Sequence, residues 1–111
     1  MKRYIAELVA TYFLVFCGTG AIIVNNETSG AIMQVGIAIS FGVIITLMIF
    51  AYARISGAHM NPAVTLTLVL LKIHPKKDVI PYILFQLAGG ILASYTLLLL
   101  FPNDEYLGAT L

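Results

Sequence analysis

The chain has 111 residues, of which 60% are hydrophobic and only 10% charged, and its formal net charge is +1. Soluble domains carry about 25% charged residues, so this composition, with a mean hydropathy of +0.99, excludes an ordinary soluble domain and implies a membrane protein. The lack of any dense basic patch excludes nucleic acid as a partner, and the single cysteine, Cys17, excludes an internal disulfide and a cysteine-cluster metal site.

Met1-Lys2-Arg3 is a short cationic start. Residues 4–24 are apolar apart from Glu7 and small hydroxyls such as Thr11 and Thr19. At about 20 residues the run is long enough to cross a hydrocarbon core of about 30 Å. A basic start and an apolar core also suit a signal peptide. Against that stand the length of the run, the interruption by Glu7, and Phe16 where a lipoprotein cleavage site before Cys17 would have a small residue. Cys17 reads as a packing thiol. Residues 25–30 (Asn-Asn-Glu-Thr-Ser-Gly) are rich in turn formers. A second span follows over 31–53, uncharged until Arg54.

From Arg54 to Met60 the pattern predicts an irregular lead-in, and from 62 to 72 a helix. Asn61 is a favoured N-cap. Pro62 falls at the first helical position, where its missing N–H costs nothing. Such a helix is about 16 Å long at 1.5 Å per residue, about half the thickness of the core. A half-length apolar helix with a polar, glycine-containing lead-in predicts a re-entrant segment whose N-terminus points at the membrane midplane. His74 to Asp78 form a basic loop, and residues 79–101 a third span with Pro81 tolerated in its first turn. Pro102 ends it, and Asn103-Asp104-Glu105 are expected to be acidic and exposed.

Charge gives the topology. With a cytoplasmic N-terminus, all six cations (Lys2, Arg3, Arg54, Lys72, Lys76, Lys77) fall inside, the outer segments hold none, and the C-terminus lies outside. Small residues (Gly18 and Gly20; Gly36, Ser40 and Gly42; Ala88, Gly89, Gly90, Ala93 and Ser94) are candidate helix contacts. Glu7 is an ionisable group in an apolar run and a functional candidate for that reason, with snorkelling to the nearby interface as the plain alternative. At membrane depth, irregular backbone must line water or be buried in protein. The carbonyls of Gly57, Ala58 and His59 are therefore candidates to line a narrow lumen as acceptors for water. With the Asn61 oxygen occupied in capping, its amide is left to donate. The positive end of the half-helix dipole falls at the same place and disfavours cations. His59 has no metal-binding partner except a remote His74, which favours a loop role. No nucleophile with a base in reach, no paired carboxylates and no phosphate loop support an enzyme, and no cofactor is expected.

The string Ser56-Gly57-Ala58-His59-Met60-Asn61-Pro62-Ala63-Val64-Thr65, flanked by full hydrophobic spans, resembles the first signature loop of the aquaporin and aquaglyceroporin channels, the major intrinsic proteins. The resemblance implies an all-α membrane protein with three transmembrane helices and one re-entrant half-helix, one inverted repeat of that fold. It implies a passive channel for water or small neutral solutes such as glycerol, a multi-pass cell-membrane location and, for a full channel, a homotetramer. Asn61, Pro62 and Ala63 would be the pore signature. Ala6-Glu7-x-x-x-Thr11 and a glutamine, Gln86, before a glycine-rich stretch are similar to the family positions whose polar side chains hold the re-entrant loop. Phe41 matches the aromatic constriction that selects by size, near the outer end of the second span, and leans towards water where glycerol channels often carry tryptophan.

The resemblance covers one of the family's two repeats. A second Asn-Pro-Ala loop and the arginine that follows it are missing, and Leu107 to Leu111 look like the start of the loop joining the halves. A fragment lacking the second half-pore is therefore expected. The alternatives are a half-channel pairing with another copy, which the charge asymmetry opposes, and a non-transporting subunit that assembles with another chain.

Overall fold

A computed structural model describes residues 1–104, 107 and 108. The expectations for Glu105 and for residues 109–111 lie outside the described residues. Among those described there is no strand. The elements are α1 (Lys2–Glu27), α2 (Met33–Ser56), α3 (Pro62–Leu70), a 3₁₀ turn at Lys76–Asp78, and α4 (Val79–Leu100). The three long helices are apolar and long enough to cross a membrane. With α3 and the connecting turns they form a bundle measuring 45 × 24 × 24 Å. The chain is an all-α membrane protein with a short helix set between its second and third long ones.

Several helix ends depart from the sequence reading. The α1 helix runs through Asn25, Asn26 and Glu27, which had read as loop. Asn25 then turns outward from the helix to the next one: its Oδ1 accepts from the N–H groups of Ile32 and Met33 at 3.2 and 2.9 Å, capping α2 from the preceding helix. At its other end α2 continues through Arg54 to Ser56 and stops at Gly57, whose φ of +89° is cheap only for glycine. The short helix stops at Leu70 rather than Lys72. Lys72 adopts φ +61°, with its N–H on the Val69 carbonyl and that of Ile73 on the Leu68 carbonyl. These two bonds are a Schellman closure with lysine in the position usually held by glycine.

The α1 helix is central and packs against both α2 and α4, while α3 lies on α4. Of the candidate contact residues, two carry the closest approaches. A Cβ at Gly89 of α4 would meet the Leu8 carbonyl oxygen and lie 3.1 Å from the Tyr12 nitrogen, so backbone meets backbone there. Gly18 of α1 lies under the ring of Phe41. The Tyr12 hydroxyl donates to Thr96 Oγ1 at 3.0 Å and joins α1 and α4 polar to polar. Gly36 and Gly42 serve no such contact: the first faces only Ile32 of its own segment and the second faces open space. With nine residues, α3 is about 14 Å long at 1.5 Å per residue, too short to cross the bundle.

Candidate functional site

Between α2 and α3 the backbone makes a tight left-handed turn. Gly57, Ala58 and Met60 have φ of +89°, +49° and +59°. Positive φ costs a residue with a Cβ about 1–2 kcal/mol, so the loop keeps this path only because its surroundings overdetermine it. The source is Glu7, which is fully buried. Its Oε2 accepts from Ser56 Oγ at 2.7 Å and from the His59 N–H at 3.0 Å. Its Oε1 accepts from the Met60 N–H at 2.9 Å and from Gln86 Nε2 at 2.7 Å. Four donors and no acceptor face the group, which suits a carboxylate.

The remaining contacts come from residues the sequence reading did not single out. Ser56 Oγ also accepts from the Ala58 N–H at 3.1 Å. The Tyr82 hydroxyl donates to the Ser56 carbonyl at 2.6 Å and is fully buried. Thr65 Oγ1 takes a bond from Gln86 Nε2 at 3.0 Å and lies 2.8 Å from His59 Nδ1. Ala58 and Met60 form an apolar core with Ala10, with Leu14, Ile45, Met48 and Tyr52 packed around it. The loop is thus gripped through polar bonds by Glu7 of α1, Ser56 at the end of α2 and Thr65 of α3, with Gln86 and Tyr82 of α4 bonded to those three residues.

His74 is not remote. Its ring lies 4.7 Å from that of His59 and 4.8 Å from that of Tyr82, centroid to centroid. Its Nε2 is 2.9 Å from Asp78 Oδ2, and Asp78 Oδ1 takes bonds from Arg3 at 3.0 Å and from Tyr4 at 2.9 Å. The fifteen-position separation of His59 and His74 in sequence hid this, because the loop before α3 reverses the chain and α3 leads it back. No group of three metal-ligating side chains gathers there or elsewhere among the described residues.

This clamp spends the amides of the loop and leaves its carbonyls. Among the described residues no donor reaches the carbonyl oxygen of Gly57, Ala58 or His59. Asn61 has extended backbone and its Oδ1 accepts from the Ala63 N–H at 2.8 Å. Its Nδ2 has no acceptor among the described residues, and Asn61 and Ala63 are both exposed. Pro62 and Met60 line a groove of about 590 Å³ with Thr11, Gln86 and Gly90. Phe41 is not brought to this loop. It sits in the N-terminal half of α2, half-buried against Gly18.

The sequence pattern described as major intrinsic protein matches residues 1–110. Among similar proteins, aquaporin NIP1-1 of Zea mays is 43% identical over 112 aligned residues, covering 100% of this chain and 40% of its own. Nodulin-26 of Glycine max is 40% identical over 110 residues, 97% of this chain and 41% of its own. Aquaporin NIP1-1 of Arabidopsis thaliana is 41% identical over 105 residues, 95% of this chain and 36% of its own. The chain therefore spans about two fifths of the length of the curated relatives it matches. With a family match running almost from end to end, over the same residues that build the clamped loop, the chain belongs to the major intrinsic protein family.

Proposed function

We propose that this chain forms one half of a passive membrane channel for water, with small neutral solutes such as glycerol as the wider class, completed by a second half-pore from a longer polypeptide or another chain. The observation that carries the reading is the one-sided use of the loop. Glu7 and Ser56 consume the N–H groups of Ala58, His59 and Met60, while three successive carbonyls receive no donor from the described residues. A file of water needs such acceptors. Asn61 then supplies a donor at the head of α3, and the partial positive charge of the helix N-terminus opposes cations at the same level. In this reading Glu7 and Gln86 hold the loop, Asn61-Pro62-Ala63 head the half-pore, and Phe41 contributes to the outer constriction. A full channel would sit in the cell membrane as a homotetramer.

Osmotic swelling of proteoliposomes, followed by stopped flow, tests it. The chain alone is expected to behave as empty vesicles do, and a chimera that continues it with the remainder of a relative such as nodulin-26 is expected to conduct water. High permeability from the chain alone, or none from a folded chimera, overturns the proposal.

A further inference from the structure

The basic end of the bundle carries more than a topological signal. Lys72, Lys76 and Lys77 fall within one short turn after α3 and all are exposed, as are Lys2 and Arg54 on the neighbouring helix ends. The acidic group beside them, Asp78, is buried and already met by Arg3, Tyr4 and His74. Glu7 is buried on neutral donors further in. The turn therefore presents positive charge with no carboxylate among the described residues to answer it from outside.

Three lysines alone would suit any polyanion. The apolar side chains flanking and separating them select a membrane. Leu70, Leu71, Ile73 and Ile80 are 81, 63, 69 and 65% exposed at the same level. A nucleic acid or a phosphorylated peptide would leave those side chains in water, whereas an acyl boundary takes them in while the lysine stems reach up to the headgroups. The backbone is prepared for a dry setting as well. The N–H groups of Leu71, Lys72, Ile73 and His74 all bond back into α3, at 3.0, 3.0, 2.9 and 3.2 Å, so this apolar part of the turn can sink into the interface without orphaned donors, while the N–H groups of Lys76 and Lys77 stay at the headgroup side.

We propose that the turn from Leu70 to Lys77 is a binding surface for anionic phospholipids, its lysines taking the headgroup phosphates while Leu70, Leu71, Ile73 and Ile80 enter the acyl boundary. The inference rests on the membrane placement of the chain and not on its conducting anything. Native mass spectrometry of the whole chain in detergent micelles, titrated with phosphatidylglycerol or phosphatidylcholine of matched acyl chains, tests it. Phosphatidylglycerol is expected to bind about tenfold more strongly, as a few lysines near an anionic surface give. The variant Lys72→Gln/Lys76→Gln/Lys77→Gln is expected to lose that preference, the corresponding triple arginine variant to keep it, and inorganic phosphate in excess to leave it in place. Equal binding of the two lipids by the unaltered chain overturns the proposal whether or not the variants fold. So does a preference that survives in the glutamine variant or is lost in the arginine variant. Displacement by inorganic phosphate would mark a free-anion site and overturn the lipid assignment too.

Discussion

At the scale of single residues, Glu7 and Gln86 touch the same loop but differ in how their own atoms are satisfied. Every bond Glu7 makes is to a donor. Exchanging it for glutamine turns one oxygen into an NH₂ group, and in either orientation that group faces a backbone N–H, of His59 or of Met60. A buried donor left without an acceptor costs about 1–3 kcal/mol, and hydrogen bonds to a charged group are worth about 1.5–3 kcal/mol each. Glu7→Gln is therefore expected to destabilise by about 3 kcal/mol. Gln86 donates to Glu7 and Thr65, but its own Oε1 is buried without a partner. Gln86→Leu removes that orphan along with two bonds, so its cost is expected to stay near 1 kcal/mol. Unfolding titrations in mixed dodecyl sulfate and maltoside micelles rank the two; a Gln86→Leu loss as large as that of Glu7→Gln would contradict the assignment of Glu7 as the principal clamp.

Among elements, the seam between α1 and α4 and the seam between α1 and α2 both rest on a glycine, yet they should respond differently to the same substitution. At Gly89 an added methyl meets the α1 main chain, which cannot give without moving a helix. Gly89→Ala is expected to cost about 1–3 kcal/mol by overpacking. At Gly18 the obstacle is the ring of Phe41, a side chain that can turn away. Gly18→Ala is expected to cost less, and Phe41→Leu to restore most of the loss, measured in the same titration as a double-mutant cycle. Elements were also where the sequence spoke unevenly. The half-helix was legible because Asn61 and Pro62 announce its start chemically and its length falls short of a span. Glu7 and Gln86 were legible because each is a lone polar group in an apolar run. Ser56, Thr65 and Tyr82 were not, since hydroxyls and tyrosines are ordinary in such helices and their partners lie far off in sequence. Asn25 misled for a related reason: it read as a turn former, whereas it stays helical and spends its side chain on the next helix.

For the molecule as a whole, the distribution of charge along the bundle carries an expectation about which way it is inserted. Lys2, Arg3 and Arg54 lie at one end of their helices, and the turn from Lys72 to Lys77 returns to that end because α3 is too short to cross. Glu27 and Asp104 lie at the other end of α1 and beyond α4. Lysine and arginine within short loops hold a membrane protein to the cytoplasmic side, so this end is expected inside and the Thr28 turn outside. Two copies facing opposite ways, which a pore built from this chain alone would need, would require half the molecules to be inserted against that bias. Cysteine labelling checks it in intact cells. In a Cys17→Ser background, Thr28→Cys is expected to react with a membrane-impermeant maleimide before lysis, and Pro75→Cys, which leaves every cation in place, only after permeabilisation. Comparable labelling of both sites in intact cells would show dual insertion, reopening the paired half-channel and removing the charge argument for a second half-pore of different sequence.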